Sequence, residues 1–188
     1  LRLRSRSPED TRAAARRLGE AIEEEMPAGG GPVVVALVGP LGAGKTEWVK
    51  GLAEGLRVDP DQVASPTYVI ASEYRAPAGR RLAHVDLFRV ESEEELEATG
   101  FLDLLVPGVV VAVEWADRFP DALPADRIEV RIERSAEAET ERGLELQATG
   151  PLAWRLLGAW TRRQASPGLA RPCPPPAAGE IRPDCAGE

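Results

Sequence analysis

The chain contains no asparagine, and only Lys45 and Lys50 among its 23 basic residues are lysines. Such a bias is first a matter of genome composition. It also excludes any site built on an asparagine side chain, including the Asn-Lys-x-Asp motif with which signalling GTPases read guanine. A cationic surplus is missing too: the net charge is -8, so no broad basic surface exists to neutralise a phosphate backbone, and a protein that coats nucleic acid unaided is excluded. Contact with nucleic acid would need a local patch or a partner. The longest apolar runs, "VVVALV" at 33–38 and "LLVPGVVVAV" at 104–113, are far too short to span a bilayer. The charged start "LRLRSRS" is not followed by a secretory apolar core. A cytoplasmic chain with no membrane contact is therefore expected. Two cysteines, Cys173 and Cys185, lie in a proline-rich tail without zinc or disulfide spacing, and are expected as free thiols in a reducing compartment.

What remains is ample for a folded core. With 188 residues, 43% hydrophobic and 29% charged, the chain suits one globular domain plus some extra chain. The expected boundary puts the domain at 1–165 and a tail rich in proline, alanine and glycine at 166–188, read as disordered because no periodicity survives there.

Ser7 followed by Pro8, Glu9 and Asp10 reads as a helix start, running to about Met26 with Ala14, Leu18, Ala21 and Ile22 on one stripe. "VVVALV" reads as a strand buried on both faces, leading into a helix that ends near Gly55. "TYVIASEYRA" and "RLAHVDLFRV" read as a hairpin turning at "PAGR". Ser92 with Glu95 forms a capping box for a short acidic helix to about Thr99. A buried strand, "VVVAVEW", follows at 109–115. "RIEVRIE" and "LELQAT" alternate and are expected as edge strands with one wet face, before a last short helix from Pro151 carrying Leu152, Leu156 and Leu157.

The stretch "GPLGAGKT" holds Gly39, four residues, then Gly44, Lys45 and Thr46, which is the Walker A pattern in its required context of buried strand before and helix after. Glycines let the backbone wrap so that successive amides of Leu41, Gly42, Ala43, Gly44 and the first helical residues, Glu47 included, point at a phosphate. Lys45 would reach the β and γ phosphates, and the Thr46 hydroxyl would ligate Mg²⁺. Such a site also needs a carboxylate at the end of a neighbouring strand. Asp86 stands near the end of "LAHVDLF", sharing a face with Leu82, His84 and Phe88; Glu114 emerges from a run of apolar residues where a ligand crevice would lie in an open α/β sheet. Each acid is a candidate for metal holding or water positioning. His84, the sole histidine, is read as a packed residue orienting Asp86 or the backbone, with direct proton transfer as the alternative. "SPTY", residues 65–68, is either a plain turn or a switch in which Thr67 senses the γ-phosphate. Arg89 either pairs with an acid or stabilises γ-phosphate charge, and Trp115 is read as packing that fixes Glu114.

"GPLGAGKTEWVKGLAEGL", "SPTYVI", "HVDLFR" and "VEW", in this order and spacing, together with the "SPEDT" helix start, resemble the bacterial tRNA threonylcarbamoyladenosine biosynthesis ATPase family, TsaE or YjeE. The likeness covers about residues 7–135 and none of the tail. It implies a small P-loop NTPase fold of class α/β, a mostly parallel sheet flanked by helices. It further implies a weak Mg²⁺-dependent ATPase that joins the TsaD and TsaB proteins in modifying tRNA, meeting the tRNA only through that complex. By the same likeness Thr67 is the switch residue, Asp86 the metal-shell acid, Glu114 the metal-associated or water-positioning acid, and Thr11 a neighbour of the nucleobase of ATP. The departures are Pro40 for the usual Asp, Glu47 for a second hydroxyl, Phe88 for Tyr and Ala116 for Pro. Of these Glu47 bears most on binding, since an acid beside a bound phosphate repels it. A small-molecule P-loop kinase is the rival reading, though only a hairpin and a short acidic helix stand between Thr67 and Gly108, where such enzymes carry an arginine-bearing lid.

Overall fold

The computed structural model describes residues 1–26, 29–64, 70–77, 79–136 and 138–163. The tail from 166 onward, its two cysteines and the "SPTY" segment with Thr67 lie outside the described residues. Seven strands, β1 (Arg2–Ser5), β2 (Val33–Val38), β3 (Ala71–Arg75), β4 (Arg81–Asp86), β5 (Val109–Glu114), β6 (Ile128–Arg134) and β7 (Arg142–Ala148), form one mixed sheet in the order β1-β7-β6-β2-β5-β4-β3. Its centre is parallel, β6-β2-β5-β4, and antiparallel pairs close it on both sides. This is the α/β class with a parallel core that the sequence leads one to expect.

Helices α1 (Pro8–Glu25), α2 (Lys45–Gly55) and α4 (Pro151–Arg163) cover one face; α3 (Glu93–Ala98) and short 3-10 turns cover part of the other. β2 shows why a run without polar alternation can be a strand here: Val33, Val35 and Leu37 pack towards the three long helices, while Val34 and Ala36 pack towards Leu96 and Phe101. The start of α1 is as expected, with Ser7 Oγ accepting from the Asp10 amide at 3.2 Å. At α3 the Ser92 hydroxyl accepts from the Glu95 amide, but Glu95 reaches back to the Glu91 amide rather than to that of Ser92.

Two expectations need correction. β6 and β7 alternate as expected, yet neither is an edge: β6 lies between β2 and β7, and the edge is β1, cut from the charged start "LRLRSRS". Arginine-rich alternation over four residues is too short a signal to read as a strand; pairing with β7 supplies what local propensity does not. The second concerns Phe88. β4 ends at Asp86, so Phe88 lies beyond the strand and is 44% exposed.

α1 and α2 touch backbone to backbone. A Cβ at Gly55 would stand 2.1 Å from the Arg16 carbonyl oxygen, and one at Gly51 would stand 2.2 Å from that of Arg12. Only glycine permits this approach, and the approach sets Arg12 of α1 against the first turn of α2, where the nucleotide pattern begins.

Candidate functional site

The ends of three parallel strands converge. Leu37 of β2 is in register with Glu114 of β5, and Glu114 with Asp86 of β4, so the loop leaving β2 and the two acids share the carboxyl end of the sheet. Open α/β sheets bind ligands there. The loop from Gly39 to Gly44 turns back over this end and opens into α2. Gly44, at φ 109°, caps α2 with no side-chain hydrogen bond, unlike the serine-capped α1 and α3. The first-turn amides of α2 are thereby left for an anion.

Lys45 is buried, and its Nζ donates to the carbonyl oxygens of Gly39 at 2.8 Å and Pro40 at 3.0 Å while lying 3.8 Å from the centroid of the Trp115 ring. Burial pushes its pKa down, and the nearby charges of Glu114, Asp86 and Asp117 oppose that shift. Trp115 reaches this position through a left-handed backbone, φ 59°, directly after β5, and its ring meets Phe88 at 4.9 Å. The indole therefore does more than pack: it covers the ammonium with its π face.

Glu114 is the hub. Its Oε1 accepts from Thr46 Oγ1 at 2.9 Å and lies 2.9 Å from His84 Nε2. His84 is completely buried, and the residue it orients is Glu114, not Asp86. Asp86 Oδ1 accepts from the Phe88 amide at 2.9 Å, which fixes that carboxylate at the end of β4. Thr46, Glu114, His84 and Lys45 are thus assembled as one site, with Asp86 in register beside it.

Glu47 does not stand unopposed. It is ion-paired with Arg12 and, at 3.2 Å, with Lys50. Burial, the largest single influence, would raise its pKa, but the hydrogen bonds and charges of Arg12 and Lys50 together outweigh it and leave it lowered. The repulsion expected of Glu47 is largely cancelled before a phosphate arrives. Thr11, one residue before Arg12, is buried, with its hydroxyl 2.7 Å from that of Ser5.

Two arginines hold the loop from outside. Arg134 Nη2, at the end of β6, donates to the Leu41 carbonyl at 2.9 Å, and Arg142 Nε, at the start of β7, donates to that of Ala43 at 2.8 Å. Sequence reading missed both. Nothing local marks them, because each is one arginine among many in an alternating strand.

A Mg²⁺ ion would find the Thr46 hydroxyl with Glu114 and Asp86 at hand. Among the described residues no group of three His, Cys, Asp or Glu closes a metal site by itself. The uncapped amides, the glycine cradle and the buried lysine suit a polyphosphate. No helix among the described residues is long and apolar enough to cross a membrane.

Known proteins resemble this chain in both sequence and fold. A family model described as "Threonylcarbamoyl adenosine biosynthesis protein TsaE" matches residues 5–143. The tRNA threonylcarbamoyladenosine biosynthesis protein TsaE of Mycobacterium leprae is 40% identical over 136 residues, 67% of this chain and 78% of that protein. Its namesake in Bacillus subtilis is 36% identical over 141 residues, 75% and 82% of the two chains. The crystal structure of Bacillus subtilis YdiB superposes with a TM-score of 0.64 at 30% identity, covering 87% of this chain and 95% of that one. With its parallel core, its glycine loop over the carboxyl end of β2 and more than half its length matched, this chain belongs to the TsaE family of tRNA threonylcarbamoyladenosine biosynthesis proteins.

Proposed function

We propose that the chain is a slow Mg²⁺-dependent ATPase whose nucleotide state governs association with a TsaD–TsaB complex, in support of threonylcarbamoyl transfer to tRNA. The observation that carries the reading is the shared Glu114 oxygen: one carboxylate, held by a buried histidine, bonded to the hydroxyl that a P-loop offers to magnesium. Bound Mg²⁺ would neutralise charge on the β and γ phosphates.

The chain's own residues supply the rest. Lys45 exchanges two carbonyl oxygens and the Trp115 face for phosphate oxygens, and the first-turn amides of α2 bind the triphosphate. With Oε1 of Glu114 engaged by Thr46 and His84, its Oε2 is the oxygen left to orient a water or meet the metal shell. Asp86 supports the metal from the neighbouring strand. Thr67 is retained as the residue that senses the γ-phosphate, and Thr11 as a neighbour of the adenine. A domain at 1–165 followed by a separate tail, acting in the cytoplasm where tRNA is modified, completes the reading.

The reaction asks little of a general base, and the product would be a conformation presented to a partner. The experiment is ATP turnover by the purified chain, alone and with the TsaD and TsaB proteins. Turnover that rises on adding both supports the reading; a rate unchanged by them contradicts it. Phosphate recovered on a metabolite rather than as inorganic phosphate would favour the kinase instead.

A further inference from the structure

The acid in the first turn of α2 brings an arginine to the glycine loop. Gly51 of α2 lies against the Arg12 carbonyl and Gly55 against that of Arg16. Residue numbers rise together along both helices, so α1 and α2 run parallel and their N-termini share one end of the molecule. Helical side chains lean towards the start of their own helix. That of Arg12 accordingly reaches Glu47, one turn before Gly51, where Nε of the arginine pairs with Oε2 of the glutamate.

Among the described residues Nε is the only nitrogen of that guanidinium engaged in a hydrogen bond. The Arg12 side chain is 38% exposed, so Nη1 and Nη2 are open to a ligand. Glu9 and Glu54 also act on the guanidinium through their charge, but Glu47 is the acid that bonds it. Glu47 takes Lys50 on its other oxygen, at 3.2 Å. One carboxylate thus gathers two cations beside helix amides that no side chain caps. Thr46 and Glu47 are consecutive and so stand about 100° apart around α2. Thr46 faces Glu114 of β5, and Glu47 faces α1.

We propose that Arg12 is a ligand of the nucleotide's α-phosphate, held by Glu47 through Nε and offering Nη1 and Nη2 to phosphate oxygens. The inference rests on the nucleotide reading of the glycine loop. Amides of such a loop cradle the α- and β-phosphates, and β and γ groups drawn to Lys45 and Thr46 leave the α group to the Glu47 flank of the turn. A guanidinium can serve a carboxylate and a phosphate at once, because its five donors are spread around a rigid planar fork. A lysine in its place would be a point charge without that fork. Glu47, which by itself would repel the ligand, is in this arrangement the residue that positions the arginine for it.

The test is titration calorimetry of the full chain with Mg²⁺ and ADP, joined to ³¹P NMR of the bound ADP. It compares the parent, Glu47→Gln, and Glu47→Gln combined with Arg12→Ala. Glutamine removes the charge, so an arginine that merely neutralised Glu47 would be dispensable in that background. An arginine that touches phosphate is not. Removing it there should weaken ADP binding about tenfold, the scale of one lost charge-assisted hydrogen bond, and should move the α-phosphorus resonance while the β resonance stays. Arg12→Lys in the parent keeps a cation beside Glu47, which guards against a loss of fold, and should weaken binding several-fold with the same resonance moved. Equal affinity with and without Arg12 in the Glu47→Gln background, or an α resonance that neither variant moves, overturns the inference while the nucleotide reading stands. A parent that binds neither ADP nor ATP would overturn that reading, and this inference with it.

Discussion

Thr46 Oγ1 and Glu114 Oε1 stand 2.9 Å apart although 68 positions separate them in the chain. The first opens α2 and the second closes β5; the parallel pairing of β2 with β5 is what brings them together. The proposed magnesium site depends on that juxtaposition of a hydroxyl with an acid.

Glu114→Gln keeps the side chain's shape and its capacity to accept from Thr46, but removes the charge. Nucleotide binding should persist, and turnover should fall about 100-fold or more, the scale expected when a group acting only in the transition state is lost. Phosphate release in single-turnover and steady-state assays is the check. Unchanged turnover would remove Glu114 from the chemistry.

Arg142→Ala takes away the donor to the Ala43 carbonyl and leaves the phosphate amides themselves intact. Triphosphate affinity should drop about tenfold, equivalent to ~1.4 kcal/mol and in keeping with one charge-assisted hydrogen bond. An affinity equal to the parent's would show that the loop needs no support from β7.

The pH dependence of stability should carry the signature of Glu47. Its lowered pKa means that the folded chain binds fewer protons there than the unfolded one at mildly acid pH. The Arg12–Glu47–Lys50 contribution is therefore full above about pH 4.3, the ordinary glutamate value, and is lost as pH falls through the lowered one. Urea midpoints of the parent and Glu47→Gln should differ at pH 7 and converge in acid. A gap that does not change with pH would contradict the assignment.

Gly55→Ala tests how the site is held. The added Cβ would meet the Arg16 carbonyl oxygen at 2.1 Å, forcing α1 and α2 apart at a cost of about 3 kcal/mol. Denaturant unfolding reads this directly, and a loss below about 0.5 kcal/mol, the scale of an ordinary surface change, would mean that the helices do not depend on this approach.

Much of this architecture was legible because its signals are local. The Walker pattern fixes the loop and the start of α2, serine caps mark α1 and α3, and an unbroken β-branched run marks each central strand. Asp86 and Glu114 were legible because a buried strand ending in an acid is a pattern of its own. What escaped depends on pairing over long separations. β1 is a strand only because β7 lies beside it, and Arg134 and Arg142 matter only because β6 and β7 return to the glycine loop between β2 and α2. Arg12 offsets Glu47 only because glycines let two helices touch, and the choice of Glu114 by His84 over its strand neighbour Asp86 depends on cross-strand geometry.

The most direct test is titration calorimetry of the chain with ATP and Mg²⁺, beside the Lys45→Ala variant. A cradle of uncapped amides completed by a buried ammonium predicts saturable heat for the parent and a large loss of affinity for the variant. No saturable heat with the parent, or the same affinity with and without the Lys45 ammonium, would contradict the account at its centre.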